Sequence, residues 1–320
     1  MVGPLKYSAM DNPDHGHQSV LLQESILLLG IEAAQTIVDC TTGRGGHAQA
    51  IGEKLGPSGT LICIDTDDRN LHYAKARLQS LTCKRRFFHA NFGQLPEILQ
   101  AAGVSQVHAI FADLGVSTNQ ITTGDYGLSF SNDSKLDMRL DRRSDTTAAD
   151  LVNRVEQSEL ADILFRNADE RYSRRIARAI VEARKVKRIE TTGELAAIIR
   201  SAVKGSPRAA IDSATRTFQA LRMEVNRESS SLSALLAAAE ALRHPGMRLA
   251  VISFHSGEDR MVKNAMRQWK TNSLGELLTP KPMTPGDAER YANPRSRSAK
   301  LRGFVFTAAN VSPTQPPVNS

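Results

Sequence analysis

Apolar and polar positions change period along the first hundred residues. Residues 20–29 are mostly apolar and suit a short helix. Residues 36–39 (TIVD) form a short β-rich run ending in a polar turn. A glycine-rich loop at 43–46 follows, and residues 47–55 read as the helix it opens. Turn chemistry at 56–59 (GPSG) precedes a continuous apolar strand at 60–65 (TLICID) that ends in an acid. Asp67 and Asp68 are placed to cap a helix over 69–81, where their charge suits the N-terminus. A third strand is predicted at 87–90 and a fourth at 107–113 (VHAIFAD), again ending in Asp. Strands alternating with helices at this spacing imply a parallel sheet covered on both faces.

The rhythm then breaks. Residues 117–145 are polar and turn-rich, and helical patterns run from there to about residue 242. Thr147-Ala-Ala-Asp150 and Thr191-Thr-Gly-Glu194 both carry the Ser/Thr-x-x-Asp/Glu signal that starts helices. A buried-strand pattern returns at 248–254, followed by a helix over 258–269, a Pro-rich loop at 280–294 and a last strand at 302–308. The expected fold is α/β, a doubly wound, mainly parallel sheet with an inserted helical domain. The sheet domain is expected over 17–116 and 215–309 and the insertion over 117–214. The ends, 1–16 and 310–320, are expected to be flexible.

Composition narrows the classes. With 320 residues, 41% hydrophobic and 23% charged, the chain is neither a mainly disordered polymer nor a collagen or coiled-coil rod. No run approaches the ~18 consecutive apolar residues of a membrane span, and the first sixteen residues lack the apolar core of a signal peptide. Cys40, Cys63 and Cys83 form no C-x-x-C pair and read as reduced thiols, so a cytoplasmic location is expected. The net charge of +7 favours a polyanionic partner. Between Arg171 and Arg188 stand eight basic residues and one acid, a local excess equal to that of the whole chain. On a helix, Arg171, Arg174, Arg175 and Arg178 fall within one arc of about 100°, opposite Ile176, Ile180 and Ala183. They are candidate phosphate contacts for RNA; the alternative is a solvated face paired with Asp169, Glu170 and Glu182. Arg295, Arg297, Lys300 and Arg302 form a second basic cluster.

The candidate chemistry gathers near the strand ends. Thr42-Gly-Arg-Gly-Gly-His47 lies between a strand and a helix, where open parallel sheets bind ligands and glycine lets the backbone approach them. Gly43, Gly45 and Ala48 also satisfy G-x-G-x-x-A, so a dinucleotide site is an alternative. Asp65, 19 residues past Gly46, is placed to accept hydrogen bonds from both ribose hydroxyls of a nucleoside ligand, or only to order the turn that follows it. Asp113 is a second acid beside the same crevice. His15 and His17 make an H-x-H pair with no further ligand at zinc spacing, so no metal site is expected. The chain contains neither a G-x-S-x-G nucleophile elbow nor a Walker loop.

Several blocks in order make the chain resemble the RsmH/MraW family of bacterial methyltransferases. They are HQSVLLQES at 17–25, TGRGGH at 42–47, ICID at 62–65, DLGVS at 113–117, LDMRLD at 136–141, RRIARAIVEARK at 174–185, TRTFQALRMEVN at 215–226, VISFHSGEDRMVK at 251–263 and NPRSRSAKLR at 293–302. The resemblance implies a Rossmann-like class I methyltransferase fold and N4-methylation of a cytidine in 16S ribosomal RNA. It also implies S-adenosylmethionine as methyl donor and the small ribosomal subunit or its RNA as partner; it implies neither an obligatory protein partner nor a membrane. By position it assigns Gly45, Gly46, His47, Asp65, Phe92, Asp113 and Gln120 to the donor, with Phe92 against the adenine face. Asp113 is also the candidate acceptor for the cytosine amine. A small-molecule methyltransferase, a non-enzymatic RNA-binding assembly factor and a dinucleotide-dependent oxidoreductase are the competing expectations.

Overall fold

The computed structural model describes residues 19–203 and 212–308. His15, His17 and the two ends expected to be flexible lie outside the described residues. The chain starts with α1 (Leu22–Leu29), β1 (Thr36–Asp39), α2 (Gly46–Leu55), β2 (Thr60–Asp65), α3 (Asp68–Arg77), β3 (Lys84–His89), α4 (Leu95–Ala101) and β4 (Ala109–Asp113). The boundaries of β1 and β2 match their apolar runs. β3 begins three residues before the expected start because it is the sheet's edge strand, where Lys84, Arg85 and Arg86 are tolerated. Asp67 caps α3 by accepting the Arg69 N–H at 3.0 Å.

After β4 the chain leaves the sheet for α5 (Thr118–Thr122), α6 (Ala148–Arg154), α7 (Gln157–Ala168), α8 (Ser173–Val186), α9 (Thr192–Ala202), α10 (Thr215–Val225) and α11 (Glu228–Ala241). Thr147 and Thr191 start α6 and α9 with capping boxes, as their sequence signals require. α6 to α9 bury a separate core around Leu160, Leu164, Ile176, Ile180, Leu195 and Ile199. Phe218, Leu221 and Val225 of α10 enter that same core, although the pattern places residue 215 back in the sheet domain. An amphipathic pattern says that one face is buried, not against which layer.

The chain returns through β5 (Arg248–Ser253), α12 (Ser256–Thr271), β6 (Gly275–Leu277), α13 (Asp287–Ala292) and β7 (Lys300–Phe306). α13 lies inside the stretch expected to be a loop. The sheet order is β3-β2-β1-β4-β5-β7-β6; β1 to β5 are parallel, and β7 runs antiparallel to both β5 and β6. This is the expected doubly wound α/β architecture. The central strands β1, β2 and β4 are nearly continuous apolar runs because successive residues enter opposite cores. Val38, Ile62, Ile64, Ile110 and Val251 pack on the face covered by α4, α11 and α12. Ile37, Leu61, Cys63, Phe111 and Ile252 pack on the face covered by α1, α2 and α3. All three cysteines are buried and unpaired. Among the described residues no helix is long and apolar enough to cross a membrane. The direction of the strand order reverses between β1 and β4, so the acids ending β1, β2 and β4 converge beside that crevice.

Candidate active site

The loop after β1 opens the crevice with little side-chain bulk. Gly43 has φ +53°, and a Cβ there would find nothing nearer than the Thr41 carbonyl oxygen at 3.8 Å, so the space above it is open. Gly46 lines the cleft, and a Cβ on it would collide with Ser19 Oγ. Gly45, with φ +85°, forms the N-cap of α2 and faces Ala74 and Leu78; it shapes the turn and does not line the cleft. Gly43, which the resemblance does not assign to the donor, lines it instead.

Asp65 ties this loop to β2. Its Oδ2 accepts the Gly43 N–H at 2.6 Å and its Oδ1 accepts the Asp67 N–H at 2.8 Å. The turn-ordering role is therefore real. Each oxygen keeps a second lone pair, and the residue lines the cleft. Burial pushes its carboxyl up to about 7, against the opposing help of those backbone donors. Asp113 borders the same space. Its backbone N–H donates to Thr41 Oγ1 at 2.6 Å, one carboxyl oxygen has no hydrogen-bond partner, and the other lies 3.7 Å from His47 Nδ1. Burial, with Asp39 and Glu258 nearby, raises its carboxyl well above the ordinary range. His47 is fixed by the 3.0 Å contact of Nε2 with the Val20 carbonyl and by the Phe111 ring, 4.6 Å between centroids.

Asp39 completes an acid cluster that a sequence reading misses. It is fully buried. Oδ1 accepts the Thr41 N–H at 3.1 Å, Oδ2 has no partner, and burial pushes the carboxyl up to about 7. A single Asp ending a strand looks like turn chemistry; its depth comes from the neighbouring strands β2 and β4. Phe92 and Gln120 also line the cleft, which encloses about 1340 Å³ counted to its open mouth. Gln120 is a brace: Nε2 donates to Asp67 Oδ2 at 2.7 Å and Oε1 accepts the Ser117 N–H at 2.9 Å. Tyr126 donates to the same Asp67 oxygen at 2.6 Å. The assigned donor residues thus meet at one cleft, except that Gly45 acts from behind it.

Among the described residues no Lys or Arg pairs with Asp39, Asp65 or Asp113. Acids with no basic partner bind a cation favourably, because it relieves their raised proton affinity, whereas a pyrophosphate would raise that affinity further. S-adenosylmethionine, a nucleoside carrying a sulfonium, fits that field, the glycine cradle and the strand-end acid. A dinucleotide fits the cradle but not the field.

The four candidate arginines lie on the exposed face of α8 and its N-terminal approach, opposite buried Ile176 and Ile180. Their side chains make no hydrogen bond or ion pair with other described residues. The acids offered as their alternative partners are engaged elsewhere: Asp169 with Arg260, Glu182 with Lys185, and Glu170 with the Tyr172 N–H. The other basic residues of the run are structural. Arg184 donates to the carbonyls of Val152 and Val155 at the end of α6, Lys187 pairs with Glu194, and Arg188 with Asp150.

Sheet order, glycine cradle and acid cluster define a Rossmann-like class I methyltransferase. Residues 14–307 match the model of the MraW methylase family, and the chain belongs to that family. It is 42% identical over 293 residues to the ribosomal RNA small subunit methyltransferase H of Acidobacterium capsulatum, covering 89% of this chain and 97% of that one. The protein of the same name from Solibacter usitatus is 42% identical over 288 residues, covering 90% and 99%. That from Sorangium cellulosum is 44% identical over 286 residues, covering 89% of each.

Proposed function

We propose that this protein transfers a methyl group from S-adenosylmethionine to the exocyclic N4 of a cytidine in small-subunit ribosomal RNA, in the cytoplasm. Support comes chiefly from the uncompensated acids at the ends of β1, β2 and β4 beside an open glycine loop. The ribosomal target follows from the family and agrees with a basic face on α8.

When bound, S-adenosylmethionine supplies an electrophilic methyl on positive sulfur. Asp65 receives the ribose hydroxyls through its free lone pairs. Phe92 covers the adenine, and Gly43 and Gly46 let the backbone approach. Gln120 holds the Ser117 and Asp67 turns in register around them. Asp113 accepts an N4–H from cytosine, which localises the nitrogen lone pair and stabilises the positive charge that grows there. As the N–C bond forms and the C–S bond breaks, the amine must lose a proton, and a carboxylate of raised proton affinity is suited to take it. His47, held against the Val20 carbonyl, fixes the Asp113 side chain from behind. Arg171, Arg174, Arg175 and Arg178 contact RNA phosphates and orient the substrate without reading its sequence. Methylation mapping of ribosomal RNA from cells with and without this protein tests the reading. One N4-methylated cytidine should vanish from the small-subunit RNA; an unchanged map refutes it.

A further inference from the structure

A second recess adjoins the donor cleft. The two share Gly115, Val116, Phe254, Glu258 and Arg295. Gly115 has φ +104°, and a Cβ there would come 3.6 Å from the Phe254 ring, so glycine keeps the neck between them open. Beyond the neck, Leu128 and Phe130 supply an apolar wall. Phe130 stands edge-on to Phe218, 4.8 Å between centroids, which anchors that wall in the helical core. The Gln219 amide lines the recess, and its hydrogen bond among the described residues is a long one, 3.9 Å to Met223 Sδ. At the mouth, the exposed Arg295 side chain makes no hydrogen bond or ion pair with other described residues, although partial burial of its guanidinium holds it below the ordinary value.

We propose that this recess receives the target cytosine itself, swung out of the RNA, with Gln219 bonding its edge and Arg295 holding an adjacent phosphate. The inference rests on the RNA-methyltransferase reading above and adds the substrate subsite. An amine inside a stacked helix cannot reach a donor, so the base must leave the stack. An apolar wall replaces the stacking the base gives up, and a few polar groups fix orientation. Glu258 lines the neck, its Oε1 3.1 Å from His255 Nε2, and lies near Asp113. Against the opposing effect of burial, its hydrogen bonds with His255 and the Phe254 N–H and the nearby Arg222 guanidinium hold it below the ordinary carboxylate range. The Glu258 carboxylate at the neck, with Asp113 in the adjoining cleft, accepts from the amino group of cytosine and disfavours the carbonyl that uracil presents at the same position.

The test measures donor affinity by calorimetry and single-turnover methyl transfer to small subunits from cells lacking this protein. Wild type is compared with Leu128→Trp, which fills the recess, and Gln219→Leu. Donor affinity should stay within about twofold, while transfer should fall at least 100-fold in Leu128→Trp and about 10- to 100-fold in Gln219→Leu. Wild-type transfer rates in both variants overturn the proposal alone. If Leu128→Trp also loses donor binding, Gln219→Leu decides by the same criterion. Absence of transfer by the wild type overturns the function reading, and the subsite with it.

Discussion

Replacing Asp39 with Asn should stabilise the donor-free protein at pH 8 and leave it nearly unchanged at pH 5. Asp39 is fully buried, one of its oxygens lacks a partner, and its carboxyl is raised from 3.8 to about 7. Its folded-state proton affinity therefore exceeds that of the unfolded chain. Its contribution to stability is present in full below pH 3.8 and is lost as the pH rises through about 7. Each tenfold change in proton binding is worth about 1.4 kcal/mol, so the loss approaches about 4 kcal/mol at alkaline pH. Asparagine keeps the acceptor for the Thr41 N–H but buries an amide donor that needs a partner, which costs about 1–3 kcal/mol. The net gain at pH 8 is then about 1–3 kcal/mol, or several degrees in Tm. Thermal unfolding of both proteins from pH 5 to 8, followed by circular dichroism, reads it. A Tm difference independent of pH, or one that favours wild type at pH 8, refutes the buried-carboxylate argument.

Three other outcomes follow from the same geometry. Donor binding near pH 7 should release protons, because a sulfonium in the cleft that Asp65 lines, with Asp39 buried behind it, lowers carboxyls that stand at about 7; calorimetry in buffers of different ionisation enthalpy should show release with S-adenosylmethionine and less with the uncharged product thioether, and equal release would count against the acid cluster. Asp113→Asn should slow single-turnover transfer at saturating donor by about 100-fold; normal transfer would leave Asp113 a donor contact only. Changing Arg171, Arg174, Arg175 and Arg178 to Gln should weaken RNA binding and flatten its salt dependence, by close to one in log–log slope for each phosphate no longer neutralised; an unchanged slope would retire α8 as the phosphate face.

Much of the fold was legible because β1, β2 and β4 are apolar runs bounded by turns and acids, the mark of strands buried on both faces. The start of β3 was not, since Lys84-Arg85-Arg86 looks polar unless the strand is known to lie at an edge. α13 was hidden by the prolines around it and by having no buried side. At the site, the glycine loop and Asp65 stand out locally, and the assignments of Phe92 and Gln120 came from the family resemblance. The depth of Asp39, the brace from Gln120 to Asp67 and the role of Arg184 as a helix cap depend on contacts between residues distant in sequence. No local pattern encodes them.

The central claim is that the cleft at the ends of β1, β2 and β4 delivers a methyl group to a cytosine amine in RNA. Its most direct test incubates the purified chain with methyl-labelled S-adenosylmethionine and undermethylated small subunits, then digests the RNA to nucleosides for mass spectrometry. The label should appear in N4-methylcytidine and be absent when Asp65→Ala protein is used. Label on another nucleoside, or none with the intact protein, would contradict the account.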